Sequence, residues 1–367
     1  MTGRQSELPL SDAVAFSRRP AGTFVLPADL LPKNGLTGAP ELQTCLREVL
    51  AGWSVQVVGH ERIKTHVHRL LVDVDGTERS LVVKWSRPEV ARRCWLVARR
   101  WLPAVGLDDK GPPLLTMAAE RTGEGMWHIY ENLPGQPLST EQPERSEVEA
   151  AVDAIARIHT AFAQHRLLPE CRLLGGDRGI HFYSAGVRDA LIALRSLDVD
   201  HRGASTGAVR DALLERISHL KRQEPERAQI LAGAGGPETL LHGDLWPTNA
   251  IVLANNDAVC ARLIDWDEAA VGPIGFDLST FLVRFDPSHR PWILDIYRRA
   301  VDRLAGWELP PDRELNAIFE TAAYARLLSL LVWSVAAAAE GESGWLHERL
   351  AALVDWLDEV APVLPAL

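Results

Sequence analysis

Residues 240–269 run LLHGDLWPTNAIVLANNDAVCARLIDWDEA, and the organisation of the chain can be worked out from them. Ala250–Ala254 and Val259–Ile264 are two short apolar runs, with the turn residues Asn255-Asn256-Asp257 between them. Paired as a hairpin, the runs return the chain to where it began, so Asn249 before the first and Asp265 after the second lie side by side. Asp244 stands five residues upstream of Asn249, in a loop containing Pro247, and Asp267 follows close behind Asp265. Hard oxygen donors converging on one spot suit Mg²⁺, which keeps several waters and shares its shell with phosphate oxygens. A metal, fixed charges and a carboxylate that takes the proton of an attacking hydroxyl are together what phosphoryl transfer needs.

Upstream, residues 54–64, 66–74 and 79–85 read as antiparallel strands, with a tight hairpin turn at Asp75-Gly76. A helix is expected from about Pro88 to Leu102, and another strand at residues 127–131, closed by Pro134-Gly135. This gives a small β-rich lobe with one helix. The first fifty residues, punctuated by Pro and Gly, read as an irregular or partly helical lead-in. Downstream the pattern turns helical. Ser146 and Glu149 have capping-box spacing, and Val148, Val152, Ile155, Ile158 and Phe162 recur at helical intervals. Further helices are expected near residues 187–197 and 208–223, and from Pro291 almost to the C-terminus, with residues 240–265 the one β insertion. The expectation is an α+β chain. Its parts are a lead-in over 1–50, a small lobe over 51–133 and a helical lobe over 134–367.

Hydrophobic residues at 47% and charged residues at 24% are ordinary globular proportions and argue against disorder. A formal net charge of −10 argues against nucleic acid or an anionic membrane as partner, while suiting a cationic one. Cys45, Cys94, Cys171 and Cys260 are far apart, without a C-x-x-C pair, which indicates a reducing compartment. The N-terminal residues lack a signal-peptide pattern, and the apolar run Leu327–Ala339 is too short to span a bilayer, so a cytoplasmic location is expected.

His242-Gly243-Asp244-Leu245-Trp246-Pro247-Thr248-Asn249 resembles the H-x-D-x-x-x-x-N catalytic loop of the aminoglycoside phosphotransferase and choline kinase-like family. Ile264-Asp265-Trp266-Asp267 resembles that family's counterpart of the kinase D-F-G segment. Gly272-Pro273-Ile274-Gly275-Phe276-Asp277-Leu278 is similar to its G-x-P-x-x-D-L stretch, with one residue more between Pro273 and Asp277. The resemblance implies a two-lobed protein-kinase-like fold that uses ATP or GTP with Mg²⁺ to phosphorylate a hydroxyl. It implies Asp244 as base, Asn249 and Asp265 as metal ligands with Asp267 assisting, and His242 and Asp277 as structural members of the site. Lys84, ending the apolar run LVVK, is similar to the family's phosphate lysine. Tyr130-Glu131-Asn132-Leu133 is similar to its hinge, so Glu131 and Leu133 would offer backbone groups to the purine.

Two departures bear on the nucleotide side. Val90–Leu107 contains no acidic residue, so either Glu89 is the partner of Lys84 or Asp265 orients the lysine instead. Val57-Val58-Gly59-His60 carries one glycine where a G-x-G-x-x-G loop would carry three. Trp246 and Trp266 are expected to brace the catalytic loop rather than stack on a ligand, and His60, His66 and His68 to be surface or nucleotide-loop residues. The acceptor is expected to be an aminoglycoside or other hydroxylated antibiotic, the acidic balance fitting a polycation. A choline, amino-sugar or amino-alcohol kinase is the alternative, and a nucleotide-binding regulator with little turnover is the reading from another class. Residues 172–235 and those beyond Pro287, where acceptor recognition is expected, carry no motif that decodes it.

Overall fold

The computed structural model describes residues 39–49, 55–197, 204–255, 258–339 and 344–365; most of the lead-in and the turn at Asn256-Asp257 lie outside them. The chain separates into two compact units, one holding Met1–Pro88 with Leu115–Asn132, the other Glu89–Leu114 with Leu133–Leu367.

The first unit has a helix, α1 (Ala39–Val49), and strands β1 (Val55–Lys64), β2 (Val67–Val74), β3 (Thr77–Ser86), β4 (Leu114–Ala119) and β5 (Met126–Glu131). They form one sheet in the order β1-β2-β3-β5-β4. The β2–β3 turn has Asp75 at φ 52° and Gly76 at φ 84°, the left-handed pair that a two-residue hairpin demands. Strict alternation along β2 sends Leu70, Val72 and Val74 inward, where they meet Leu81, Val83, Ile129, Trp127 and the α1 side chains Leu42, Cys45 and Leu46. The stretch read as a single-glycine nucleotide loop is part of β1, and the register against β2 shifts between Val57 and Gly59, a bulge. Glycine suits that position because a Cβ there would come within 2.9 Å of Leu71 Cδ1.

The helix expected over 88–102 belongs by its contacts to the second unit. It is α2 (Pro88–Leu96), continued by a π-turn over Val97–Trp101 into α3 (Leu102–Ala104). Wider π-type bonding lets the helix continue with Val97, Trp101 and Leu102 all buried. There follow β6 (Gln136–Pro137), α4 (Arg145–Phe162), α5 (Leu168–Leu174), α6 (Ile180–Ser196), α7 (Ala204–Ala234) and β7 (Glu238–Leu241). Next come β8 (Ala250–Asn255), β9 (Ala258–Leu263), β10 (Ala270–Pro273), α8 (Gly275–Leu282), α9 (Arg290–Ala305), α10 (Asp312–Ala339) and α11 (Leu346–Asp358).

In α4 the apolar positions read from the sequence are buried, but the capping box does not form. Glu144 is the N-cap and makes no side-chain cap bond; Ser146 lies inside the helix and Glu149 pairs with Arg145 at 2.9 Å. The β content also exceeds the single insertion expected. The β8–β9 hairpin is flanked by β6, and β7 pairs antiparallel with β10. Helix α10 is long and apolar enough to cross a membrane by composition, yet it packs on α6, α7, α8 and α11 and buries Leu315, Phe319, Leu328 and Leu331.

Candidate active site

The loop after β7 is anchored by Asp277, in the first turn of α8. This carboxylate is buried and accepts the N–H groups of His242 at 2.7 Å and Gly243 at 2.9 Å, with His159 Nε2 at 3.3 Å. His159 Nδ1 in turn meets the Tyr297 hydroxyl at 2.8 Å. Burial pushes the Asp277 pKa up, but the hydrogen bond and charge of His159, the charge of His242 and the Gly243 N–H prevail and hold it below the ordinary carboxylate value. Burial, with the Asp277 charge beside it, pushes the Tyr297 phenol well above its usual range. Gly243 has φ 83°, and a Cβ there would lie 1.8 Å from the Glu268 carbonyl oxygen, so no side chain fits.

The loop also bonds to itself. Trp246 N–H donates to the Asp244 carbonyl at 2.9 Å, Asn249 N–H to the Trp246 carbonyl at 2.8 Å, and Asn249 Nδ2 to the Asp244 carbonyl at 2.9 Å. That last bond engages the donor side of the Asn249 amide and leaves its Oδ1 as an acceptor. The Asp244 carboxylate is half-buried and accepts a short hydrogen bond from Trp246 Nε1.

The β8–β9 hairpin pairs Ala250 with Leu263, and Ile264 N–H donates to the Asn249 carbonyl at 2.9 Å, so Asn249 and Asp265 flank the hairpin's open end. Asp265 has φ 67°, a left-handed conformation that few residues other than glycine hold. His242 closes the loop against the hairpin by donating Nε2–H to the Ile264 carbonyl at 2.8 Å; a carbonyl only accepts, so Nε2 carries the proton. Its ring lies 4.6 Å from that of buried Trp266, whose Nε1 donates to the Leu263 carbonyl at 2.9 Å. Asp267 Oδ1 accepts the Cys94 thiol at 3.2 Å, and its carbonyl takes a short bond from Arg93. Among the described residues no three His, Cys, Asp or Glu side chains gather as a ready metal cluster.

Three arginines that no motif marked lie about the loop and α8. Arg284 lies with Cζ 3.3 Å from the centre of the Trp246 ring; burial depresses its pKa and the Asp244 charge opposes the shift. Arg326, on α10, donates to the Phe276 carbonyl at 3.2 Å and Ser279 Oγ at 3.0 Å. Burial pushes it down to about 10 against the charges of Asp277 and Asp244, and Arg178 and Arg284 push it further. Arg178 makes a short ion pair with Glu268 and lies 4.3 Å from the Phe182 ring centre. Arg178 and Arg326 flank one ring, Phe276, at 5.6 and 4.9 Å.

Of the residues expected to serve the nucleotide, Lys84 is half-buried in β3, two residues short of the strand's end, paired with Val67 and His128. Glu131 is the exposed last residue of β5 and pairs with Leu81. Glu89, exposed in the first turn of α2, and half-buried Leu133 belong to the second unit. The expectation of surface histidines is corrected for His68, which is buried in β2 and bonds through Nδ1 to His60 Nε2 at 2.9 Å. A cavity of about 620 Å³ in the second unit is lined by Lys110, Glu149, Asp153, Arg299 and others, none of them among the residues expected for catalysis.

The model of the Phosphotransferase enzyme family matches residues 66–315, a span that takes in β3, the loop, the hairpin and α8. No curated protein gives a significant sequence match. Among solved structures, ethanolamine kinase from Plasmodium vivax has a TM-score of 0.53 at 12% identity, over 83% of this chain and 82% of that one. Choline kinase from Cryptosporidium parvum Iowa II has a TM-score of 0.50 at 14% identity, over 84% and 92%. A spectinomycin phosphotransferase, solved with ADP and spectinomycin, has a TM-score of 0.50 at 13% identity, over 86% and 98%. A small antiparallel sheet followed by a mainly helical unit is the protein-kinase-like fold that these likenesses carry.

Proposed function

The chain belongs to the phosphotransferase enzyme family, and from that premise we propose that it moves the γ-phosphoryl group of ATP or GTP to a hydroxyl of a small molecule, with Asp244 as general base. The observation that carries the reading is the loop itself. Asp277 holds its backbone at two N–H groups, and the Asn249 amide, at the hairpin's open end, is turned by its bond to the Asp244 carbonyl. Trp246 occupies Asp244 Oδ1, which leaves Oδ2 to accept a proton. In the proposed step the acceptor oxygen bonds to the γ-phosphorus as its proton passes to Asp244. The bond from that phosphorus to the bridging oxygen breaks, and ADP or GDP leaves.

The donor chemistry at the hairpin's end fits Mg²⁺, with Asn249 Oδ1 and Asp265 as ligands and Asp267 assisting. When bound, the ion neutralises charge on the nucleotide's phosphate oxygens. Lys84 with the backbone groups of Glu131 and Leu133 is the proposed nucleotide-holding set, with Glu89 as the candidate partner of the lysine. A cytoplasmic location and a reaction without nucleic acid or membrane belong to the same proposal. The arginines near Asp244 weigh against a polycationic aminoglycoside and, by the same charge, against choline or an amino alcohol. A polycation would meet guanidinium groups there, and Glu268 is already engaged by Arg178.

The test is ADP and GDP release in Mg²⁺ against aminoglycosides, other hydroxylated antibiotics, choline, amino-sugars and hydroxy acids, with Asp244→Ala as control. Acceptor-dependent release that vanishes in the control is expected. Release that persists in the control overturns the base assignment, and Mg²⁺-dependent nucleotide binding with no turnover on any acceptor favours the regulator.

A further inference from the structure

Arg178, Arg284 and Arg326 come from the residues before α6, the residues after α8 and the middle of α10, yet they gather about one loop. Arg178 and Arg326 share the Phe276 ring, and Arg284 covers the Trp246 ring whose Nε1 bonds to Asp244. The Asp244 charge acts on both Arg284 and Arg326. The carboxylates that could balance them are largely committed. Glu268 is held by Arg178, and Asp277 by two backbone N–H groups and His159. Among the described residues Arg284 meets an aromatic face and the field of Asp244, and it is exposed.

Resting on Asp244 as the base, we propose that the acceptor carries an anionic group, a carboxylate or a phosphate, in addition to its reacting hydroxyl, and that Arg284 and Arg326 bind that group. Guanidinium groups match both anions with charge-assisted hydrogen bonds, which an ammonium-bearing acceptor cannot use. Arg326, held at the Phe276 carbonyl and Ser279 by both terminal nitrogens, is the rigid member, and Arg284, at the surface, is the adjustable one. The whole-chain charge of −10 pointed to a cationic acceptor, but a recognition site responds to the charges beside it, not to the sum over the surface.

The test uses the full chain saturated with ADP and Mg²⁺, and follows melting temperature at constant ionic strength with glycerol, glycerate, glycerol 3-phosphate, choline and kanamycin. Glycerate or glycerol 3-phosphate should stabilise the protein where glycerol, choline and kanamycin do not, and the better of the two separates carboxylate from phosphate. Arg284→Glu should weaken that binding by about tenfold or more, the loss expected for one charge-assisted bond. Arg326→Gln should do likewise; because it is the more enclosed side chain, Arg284→Glu carries the test if Arg326→Gln does not fold. Asp244→Asn should keep the anion effect. Stabilisation by choline or kanamycin equal to that by the anions, or no anion effect, overturns the proposal. Nucleotide release on the same ligands separates the two readings. Asp244-dependent release with kanamycin or choline, and none with anions, sinks the anionic acceptor and leaves the phosphotransferase. Arginine-dependent anion binding without Asp244-dependent release sinks the base and leaves the anion site.

Discussion

The two walls around Asp244 are built in opposite ways. One is the loop His242–Asn249 with the hairpin that follows, where the loop's hydrogen bonds fall within the one stretch of chain from His242 to Asp277. The other is the arginine face, whose members lie as far apart in sequence as Arg178 and Arg326 and meet only through helix packing and the shared Phe276 ring. The local wall resembles what any member of such a family needs for the reaction. The proposed reactive loop is encoded in one stretch of chain, and the arginine face is assembled from distant ones.

Mutation can break that contrast. Asp244→Asn should bring the largest change, a loss of acceptor-dependent nucleotide release of about 10²–10⁴-fold, since a general base supplies that much. Measured melting temperature should hardly move, because the asparagine keeps an oxygen for Trp246 Nε1. A variant with near-normal turnover would remove Asp244 from the reaction.

Asp277→Asn should act through folding instead. Removing one side of a buried charged network costs about 3–5 kcal/mol, read as a lower denaturation midpoint together with lost turnover. The pH dependence has a definite sign. The Asp277 pKa is held below the usual 3.8, so its contribution is present in full above that value and is lost as pH falls through the depressed folded value. The gap in stability between wild type and Asp277→Asn should therefore be widest near neutrality and narrow below about pH 4. A gap that stayed constant into acid would mean that Asp277 is not charged in the folded protein.

Gly243→Ala tests the loop without touching a charged group. Positive φ and a clash with the Glu268 carbonyl should together cost about 2–4 kcal/mol and displace the loop, so turnover falls along with the denaturation midpoint. An alanine variant of normal stability and rate would show that the loop has room to move. Tyr297→Phe should be the mildest, about 1 kcal/mol for one buried hydrogen bond to His159. A larger loss, seen in a denaturant titration, would mean that the hydroxyl also sets the charge of the His159–Asp277 pair.

Much of the site was legible because its signals are short-range. The Asp75-Gly76 turn, the apolar stripe of α4 and the hairpin flanked by Asn249 and Asp265 follow from alternation, helical spacing and turn chemistry between neighbours. Errors arose where a local signal had a competitor. Ser146 and Glu149 have capping-box spacing, but Glu144 begins the helix and Arg145 takes Glu149. Gly59 lies within the strand expected over 54–64, and what the sequence did not show is the bulge that pairing with β2 makes of it. His68 has a polar side chain on an alternating strand, yet its partner His60, across the sheet, lets it be buried.

Residue order alone was enough for the succession of a β-rich part and a helical part, the residues of the loop and hairpin, and the reaction class that they resemble, because those depend on chain neighbours and on motifs of a few residues. The tertiary fold alone put α2 with the second unit, Gly243 against the Glu268 carbonyl, Arg284 over the Trp246 ring, and Arg178 and Arg326 about the Phe276 ring. The reason is that charge acts through space over several ångströms, while sequence records only distance along the chain, and helix packing alone turns one into the other.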